Sequence, residues 1–344
     1  MKSRLYILII LLFSLILQSQ AEETKEKVYI KNIARNASKE HKLLAIEFWA
    51  PSCGSCIAMK RDIFENKIHA EFVHKYFRLL QLSPTDSIYK SLWNYFNLEA
   101  QSSVIYIDKN GNEIDRTVGY NGDRDAYLNM MKNIAHSSNL YKDVVKKYRM
   151  DTLYVLNCCL MARKLAFRNE LEKAVNLYNK ILIYDPLNKF KLHAECMFKI
   201  AEMENTLTGN LKKMREFVDT DSKNPFGQKA YLYLINDLIN KKDQTDCLAI
   251  CKAGFSRYPD SWEILNKYAW AICTFKIREE YPKALSMVQK SISLNPSRPG
   301  TYSTEAWIYF EMGNREKAIE LQKKAIEIYP DRSFVQDLET FEKQ

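Results

Sequence analysis

Apolar runs and helical spacings divide the chain as far as His136 into short elements. Leu43-Leu44-Ala45-Ile46-Glu47-Phe48 is apolar at nearly every position, which predicts a buried strand with one acid, Glu47, inside it. Pro51 and Ser52 break that run. From Cys53 the apolar positions (Ile57, Met59, Ile63, Phe64) follow a helical pattern, and a second helical stretch runs from about Ile68 to Tyr76. Phe77 to Leu82 reads as another strand and Ser87 to Phe96 as a helix. Val104 to Ile107 is a strand, Lys109-Asn110-Gly111-Asn112 a turn, and Glu113 to Val118 the returning strand. An amphipathic helix from Asp123 to Ala135 closes the region. Strands alternating with helices predict an α/β domain.

The rest of the chain reads as helical and periodic. Prolines recur at 186, 225, 259, 296 and 330, a spacing of roughly 34 to 39 residues that marks a repeat. Ala284 and Ala318 lie one such repeat apart, at matching places before Pro296 and Pro330, and Ala174 holds the same place before Pro186. Small residues let paired helices approach, and proline ends the second helix of each pair. Five units follow, at about 155–188, 194–227, 228–261, 265–298 and 299–332, with the longer gaps read as loop insertions. Within a repeat region of 153–332, such units stack into an all-α solenoid. Residues 137–152 are expected as a linker and 333–344 as a short capping helix.

The N-terminus stands apart from both patterns. Lys2 and Arg4 precede an apolar stretch from Leu5 to Leu17, and Ser19-Gln20-Ala21 gives a small-x-small cleavage pattern. The stretch is shorter than the roughly 20 residues a membrane span needs. Residues 1–21 are therefore expected to be a cleaved secretory signal, leaving an exported chain, periplasmic or secreted, without membrane contact. No Cys follows Ala21, which argues against a lipid anchor. Beyond residue 21, 49 basic residues against 42 acidic ones give +7, spread thinly, so no nucleic-acid groove is expected. Hydrophobic residues at 47% and charged ones at 27% are ordinary for globular domains, and 9 Gly with 9 Pro argue against a loop-rich or all-β chain.

Eight cysteines stand at 53, 56, 158, 159, 196, 247, 251 and 273. A chain this long builds a core without a disulfide framework. Cys53 and Cys56, two residues apart between a strand and a helix, fit either a redox pair or half of a metal clip. The clip needs two more ligands, and the five His (41, 69, 74, 136, 193) show no i, i+4 spacing. Cys247, at the same small position before Pro259, and Cys251 one turn on read as small hydrophobes in helix packing.

Residues 46–60, "IEFWAPSCGSCIAMK", resemble the thioredoxin active-site signature: an acid, Phe-Trp-Ala-Pro, then Cys-Gly-x-Cys. The continuation, "KRDIFENKIHAEFVHKYF", is similar to the subgroup that includes the C-terminal domain of the transmembrane disulfide reductase DsbD. The resemblance covers roughly 25–136, within a domain placed at 22–136. It implies a thioredoxin-like α/β fold and thiol–disulfide exchange without cofactor or metal. Cys53, at a helix N-terminus that favours its thiolate, is then the nucleophile. Cys56, one turn inside, is the resolving thiol that closes the Cys53–Cys56 disulfide. Glu47 matches the buried proton-transfer acid, and Trp49 and Ser102 fall in the substrate loop. Three positions depart from the family: Ser52 replaces a second Trp, Ile57 replaces a basic residue, and Ser102 replaces the cis-proline. A cis bond without proline costs about 3 kcal/mol, so Ser102 is expected to be trans. A proline restored there is expected to bring the loop nearer the family geometry.

The segments "YPKALSMVQKSISLNP" and "NREKAIELQKKAIEIYP" resemble tetratricopeptide (TPR) repeats, and Ala306, Tyr309, Gly313, Ala318, Ala325 and Pro330 fit that consensus. This implies a groove for a protein partner. The expected function is an exported thiol–disulfide oxidoreductase acting on protein clients with thiols or disulfides. The alternative is a non-enzymatic TPR adaptor with a degenerate thioredoxin-like domain.

Overall fold

Two compact units, with their main boundary at Tyr141/Lys142, make up the computed structural model, which describes residues 23–50, 53–120, 122–219 and 224–343. The expected signal at 1–21 and the departure at Ser52 lie outside the described residues.

As far as residue 135 the elements run α1 (Lys25–Lys39), β1 (Leu43–Phe48), α2 (Gly54–Met59), a π-helical turn (Lys60–Phe64), α3 (Lys67–Tyr76), β2 (Phe77–Leu82), α4 (Tyr89–Tyr95), β3 (Ser103–Ile107), β4 (Glu113–Val118) and α5 (Arg124–Ala135). The sheet order is β2-β1-β3-β4, with β1 parallel to β2 and the other pairs antiparallel. Side chains alternate across a strand, so β1 divides between two apolar layers. Leu44, Ile46 and Phe48 join α1 and α4 on one face. Ala45 joins Met59, Ile63 and Met131 on the other, where the helical run after Cys53 and α5 pack. Glu47 has the parity of Ala45 and so points to this second face.

Helix α1 has no counterpart in the sequence expectation. Its buried stripe is Ile30, Ala34 and Ala37, at i, i+4 and i+7, and Thr24 caps it by accepting from the Lys27 N–H. Lys27 Nζ donates to the Gly111 carbonyl at 2.8 Å, which ties α1 to the β3–β4 turn. Gly111 has φ +80, and a Cβ there would meet the Lys31 backbone at 3.0 Å, so both conformation and space select glycine.

The second unit is helical: α6 (Tyr141–Met150), α7 (Val155–Ala166), α8 (Leu171–Tyr184), α9 (His193–Thr208), α10 (Lys212–Val218), α11 (Gly227–Asn240), α12 (Gln244–Arg257), α13 (Trp262–Thr274), α14 (Tyr281–Leu294), α15 (Pro299–Glu311), α16 (Arg315–Ile328) and α17 (Arg332–Lys343). Helix α6 occupies most of the segment expected as a linker at 137–152. Its charged surface hides a single fully buried side chain, Val144. From α7 the helices pair antiparallel, and Ala162, Ala174, Ala201, Ala284, Ala306 and Ala318 are buried where they cross. Helix α10 has 7 residues, whereas α8, α12, α14 and α16 each have 14. In α17, Phe341 is fully buried, with its ring 4.8 Å from that of Trp307 and 4.7 Å from that of Phe310.

Candidate functional site

The apolar strand β1 delivers the chain to the cysteines. Trp49 N–H donates to the Leu82 carbonyl at 3.0 Å, extending the β1–β2 pairing by one residue. Cys53 immediately precedes α2, and its carbonyl accepts the Ile57 N–H at 3.0 Å, the first helical bond of this run. Cys53 and Cys56 form a disulfide with their Cα atoms 5.2 Å apart. Cys53 is half-buried, while Cys56 is 1% exposed, so the N-terminal cysteine is the outer one. The Cys56 N–H donates to Cys53 Sγ at 3.2 Å, and Ser55 Oγ lies 3.3 Å from the same sulfur. Both are groups that stabilise negative charge on that sulfur when the pair is reduced.

Glu47 is 1% exposed, and burial pushes its carboxyl up to about 7. Two groups oppose that rise. Gln81, its partner in the β1–β2 register, donates Nε2–H to Glu47 Oε2 at 2.7 Å. Lys60, in the π-helical turn, adds a favourable charge. The ammonium of Lys60 also lies 5.3 Å from the centre of the Trp49 ring and 3.4 Å from Glu65 Oε1. Gln81 and Lys60 were not singled out by the sequence. Residue 81 is recognisable only once the strand register pairs it with Glu47.

The helical run after Cys53 is not one regular helix. Over Lys60–Phe64 it widens, closing with a Glu65 N–H to Lys60 carbonyl bond at 2.8 Å. The turn places Asp62 where its carboxylate accepts from Tyr120 OH at 3.1 Å and its carbonyl lies 2.7 Å from His69 Nδ1.

Ser102 lies one residue beyond the Phe48–Ser103 pair, level with Trp49. It is fully buried and left-handed, with φ 58, and the described residues contain no cis peptide bond. Its carbonyl accepts the Gly119 N–H at 3.1 Å, and Ser103 Oγ donates to the Ala100 carbonyl at 2.6 Å. The proline ring locks φ on the negative side, so this conformation excludes it. Proline at this position therefore requires the loop to leave the conformation seen here.

The six remaining cysteines are free and buried. Burial pushes the Cys159 thiol up to about 11 and those of Cys196 and Cys273 up to about 12. Cys247 and Cys251, one turn apart on α12, share a hydrogen bond that holds the Cys251 thiol far up. Among the described residues no three His, Cys, Asp or Glu side chains are grouped to hold a metal ion.

Residues 30–135 match the model of the thioredoxin-like domain, and residues 299–332 match that of the tetratricopeptide repeat. A TPR repeat-containing protein of Methanocaldococcus jannaschii is 28% identical over 190 residues, which is 54% of this chain. The chain spans only 29% of that relative's length. Among solved structures, YrrB, a TPR protein with an unusual peptide-binding site, is 17% identical with a TM-score of 0.40, over 57% of this chain and 97% of its own. A MamA structure is 19% identical with a TM-score of 0.40, over 51% and 91%.

Proposed function

We propose that this chain, a thioredoxin-like domain followed by a TPR solenoid, is an exported thiol–disulfide oxidoreductase whose repeats hold its protein clients. The observation that carries the reading is the Cys53–Cys56 disulfide at the strand-to-helix turn, with the outer sulfur on Cys53 and the buried acid Glu47 on the sheet face where that helix packs. In the reduced protein, the Cys53 thiolate attacks one sulfur of a client disulfide, and the other client sulfur leaves as a thiolate. The Cys56 thiol gives its proton to Glu47, and its sulfur then attacks Cys53 Sγ. The Cys53–Cys56 disulfide forms, and the second client sulfur leaves as a thiolate. Two electrons pass to the client; the reverse sequence oxidises a client dithiol. A carboxyl near 7 both accepts and returns that proton around neutrality.

Equilibration in glutathione buffers, read by alkylation and mass, tests the proposal. The pair is expected to exchange reversibly with a potential between roughly −120 and −270 mV, the span of known exchange domains. Cys53→Ser is expected to reduce turnover of a model disulfide at least about a thousandfold. A reduced Cys53 that alkylates readily yet exchanges with no disulfide would sink the enzymatic reading. The adaptor reading would replace it, and the left-handed Ser102 is the observation that favours that second reading.

A further inference from the structure

The two ends of the first helix pair differ in chemistry. Of the sixteen large apolar side chains exposed among the described residues, eight fall within residues 150–156 and 183–190. A helical hairpin brings its last residues back to where it began, so the start of α7 and the end of α8 share one end of the pair. The rings of Tyr154 and Phe190 meet there, 6.1 Å apart. Asn157 Nδ2 donates to the Lys147 carbonyl at 3.2 Å, which brings the last turn of α6 to the same end.

Both loops are built by an aspartate. The Asp151 carboxylate accepts the N–H groups of Leu153 and Tyr154, each at 3.0 Å. The Asp185 carboxylate, buried, accepts those of Lys189 at 2.8 Å and Phe190 at 2.9 Å. The two acids are thus turned onto their own backbones, while Leu153 at 63% and Leu187 at 76% exposure stand outward. Around them Lys146, Arg149, Lys189 and Lys191 are exposed, and the last two have no ion pair among the described residues.

We propose that this end of the first helix pair is a peripheral membrane-binding surface for an anionic lipid bilayer. Leu153, Leu187 and Phe190 enter the headgroup layer, and the four basic side chains meet the lipid charge. Apolar tips on separate loops, interleaved with lysines, suit a fluid layer that each tip enters on its own. A protein partner would need a pocket for each tip, and lysine is depleted at protein interfaces. No helix among the described residues is long and apolar enough to cross a membrane, so the contact is with the surface. It replaces the expectation that the chain beyond residue 21 has no membrane contact.

Vesicle flotation tests this with the chain from Glu23, which keeps every buried core residue and removes the apolar stretch Leu5–Leu17. Phosphatidylcholine vesicles with and without about a quarter phosphatidylglycerol are compared. Binding is expected to be at least about tenfold stronger on the anionic vesicles and to weaken with salt. The double change Leu187→Glu, Phe190→Ser is expected to lower it at least about tenfold, with the far-ultraviolet dichroism unchanged. Lys189→Glu, Lys191→Glu, at exposed positions, is expected to do the same and serves if the first variant misfolds. Leu294→Glu, an exposed position elsewhere, is expected to change nothing. Equal binding to neutral vesicles, or anionic binding that survives both loop variants, overturns the proposal. It is also overturned if the loop variants abolish self-association or a protein complex while vesicle binding persists.

Discussion

Cys53 and Cys56 at the start of α2 and the six cysteines of the repeat helices show what position does to one side chain. Cys53 precedes a helix and receives an N–H and a hydroxyl. The others sit inside helices at small packing positions, among them Cys247, Cys251 and Cys273, which join the largest apolar cluster. Residue type is equal; the difference lies in access and in what faces the sulfur. Burial makes the Cys196 and Cys273 thiols keep their protons, whereas a thiol at a helix start gives its proton up more readily.

Alkylation of the fully reduced native protein at pH 7 gives the largest expected contrast. A thiol near 12 is ionised to about one part in 100,000 at that pH, so Cys53 is expected to react at least about ten-thousand-fold faster than Cys196 or Cys273. Mapping the modified peptides by mass checks this. Prompt labelling of a repeat cysteine, or of Cys56 before Cys53, breaks the contrast.

Glu47 sharpens it from below. Its folded carboxyl, near 7, lies above the ordinary 4.5, so the native state holds a proton that the unfolded chain has released. Stability from this group is therefore highest below about 4.5, falls as pH rises toward 7, and is lowest above it. Glu47→Gln is expected to stabilise the oxidised protein by roughly 3 kcal/mol at pH 8 and by almost nothing at pH 4. Urea titrations at both values decide; the same gain at each would mean that charge burial is not the cause.

At Ser102 the backbone is the variable. Proline there must leave φ 58, so Ser102→Pro is expected to cost roughly 2–3 kcal/mol. Ser102→Gly, free to adopt that angle, is expected to stay within about 1 kcal/mol. A proline variant as stable as the parent would show that the loop switches conformation easily.

Gln81→Leu carries the smallest effect. Without its donor the Glu47 carboxylate loses a charge-assisted bond, and the break in the stability–pH curve is expected to move up by about one unit. No movement would leave burial alone in control.

The sheet was legible because β1 and β3 are apolar almost throughout and β2 keeps apolar residues at all but Arg78 and Gln81, and the repeat was legible because its prolines and alanines keep a period. Helix α1 escaped because two of its three buried residues are alanines among charged neighbours. Helix α6 escaped for a like reason, its buried face being little more than Val144. The site was legible where chemistry is local: Cys53, Cys56 and Glu47 sit on one continuous stretch. Gln81 was not, because it meets Glu47 across a strand register. The handedness of Ser102 was not either, since a serine carries no sign of φ.

The π-helical turn at Lys60–Phe64 makes chain length negotiable at one place. A turn of this kind holds one residue more than an α-turn. Deleting Arg61 would let the run close as a regular helix, without breaking the Cys53–Cys56 spacing before it or the Asn66 cap of α3 after it. What would go is the widened turn itself, and with it the reach of Asp62 to Tyr120 and His69. A one-residue deletion that preserves the cysteine pair is therefore expected to be tolerated between residues 60 and 65, and the tether from the helix to Tyr120 is the feature that a shorter chain would lack.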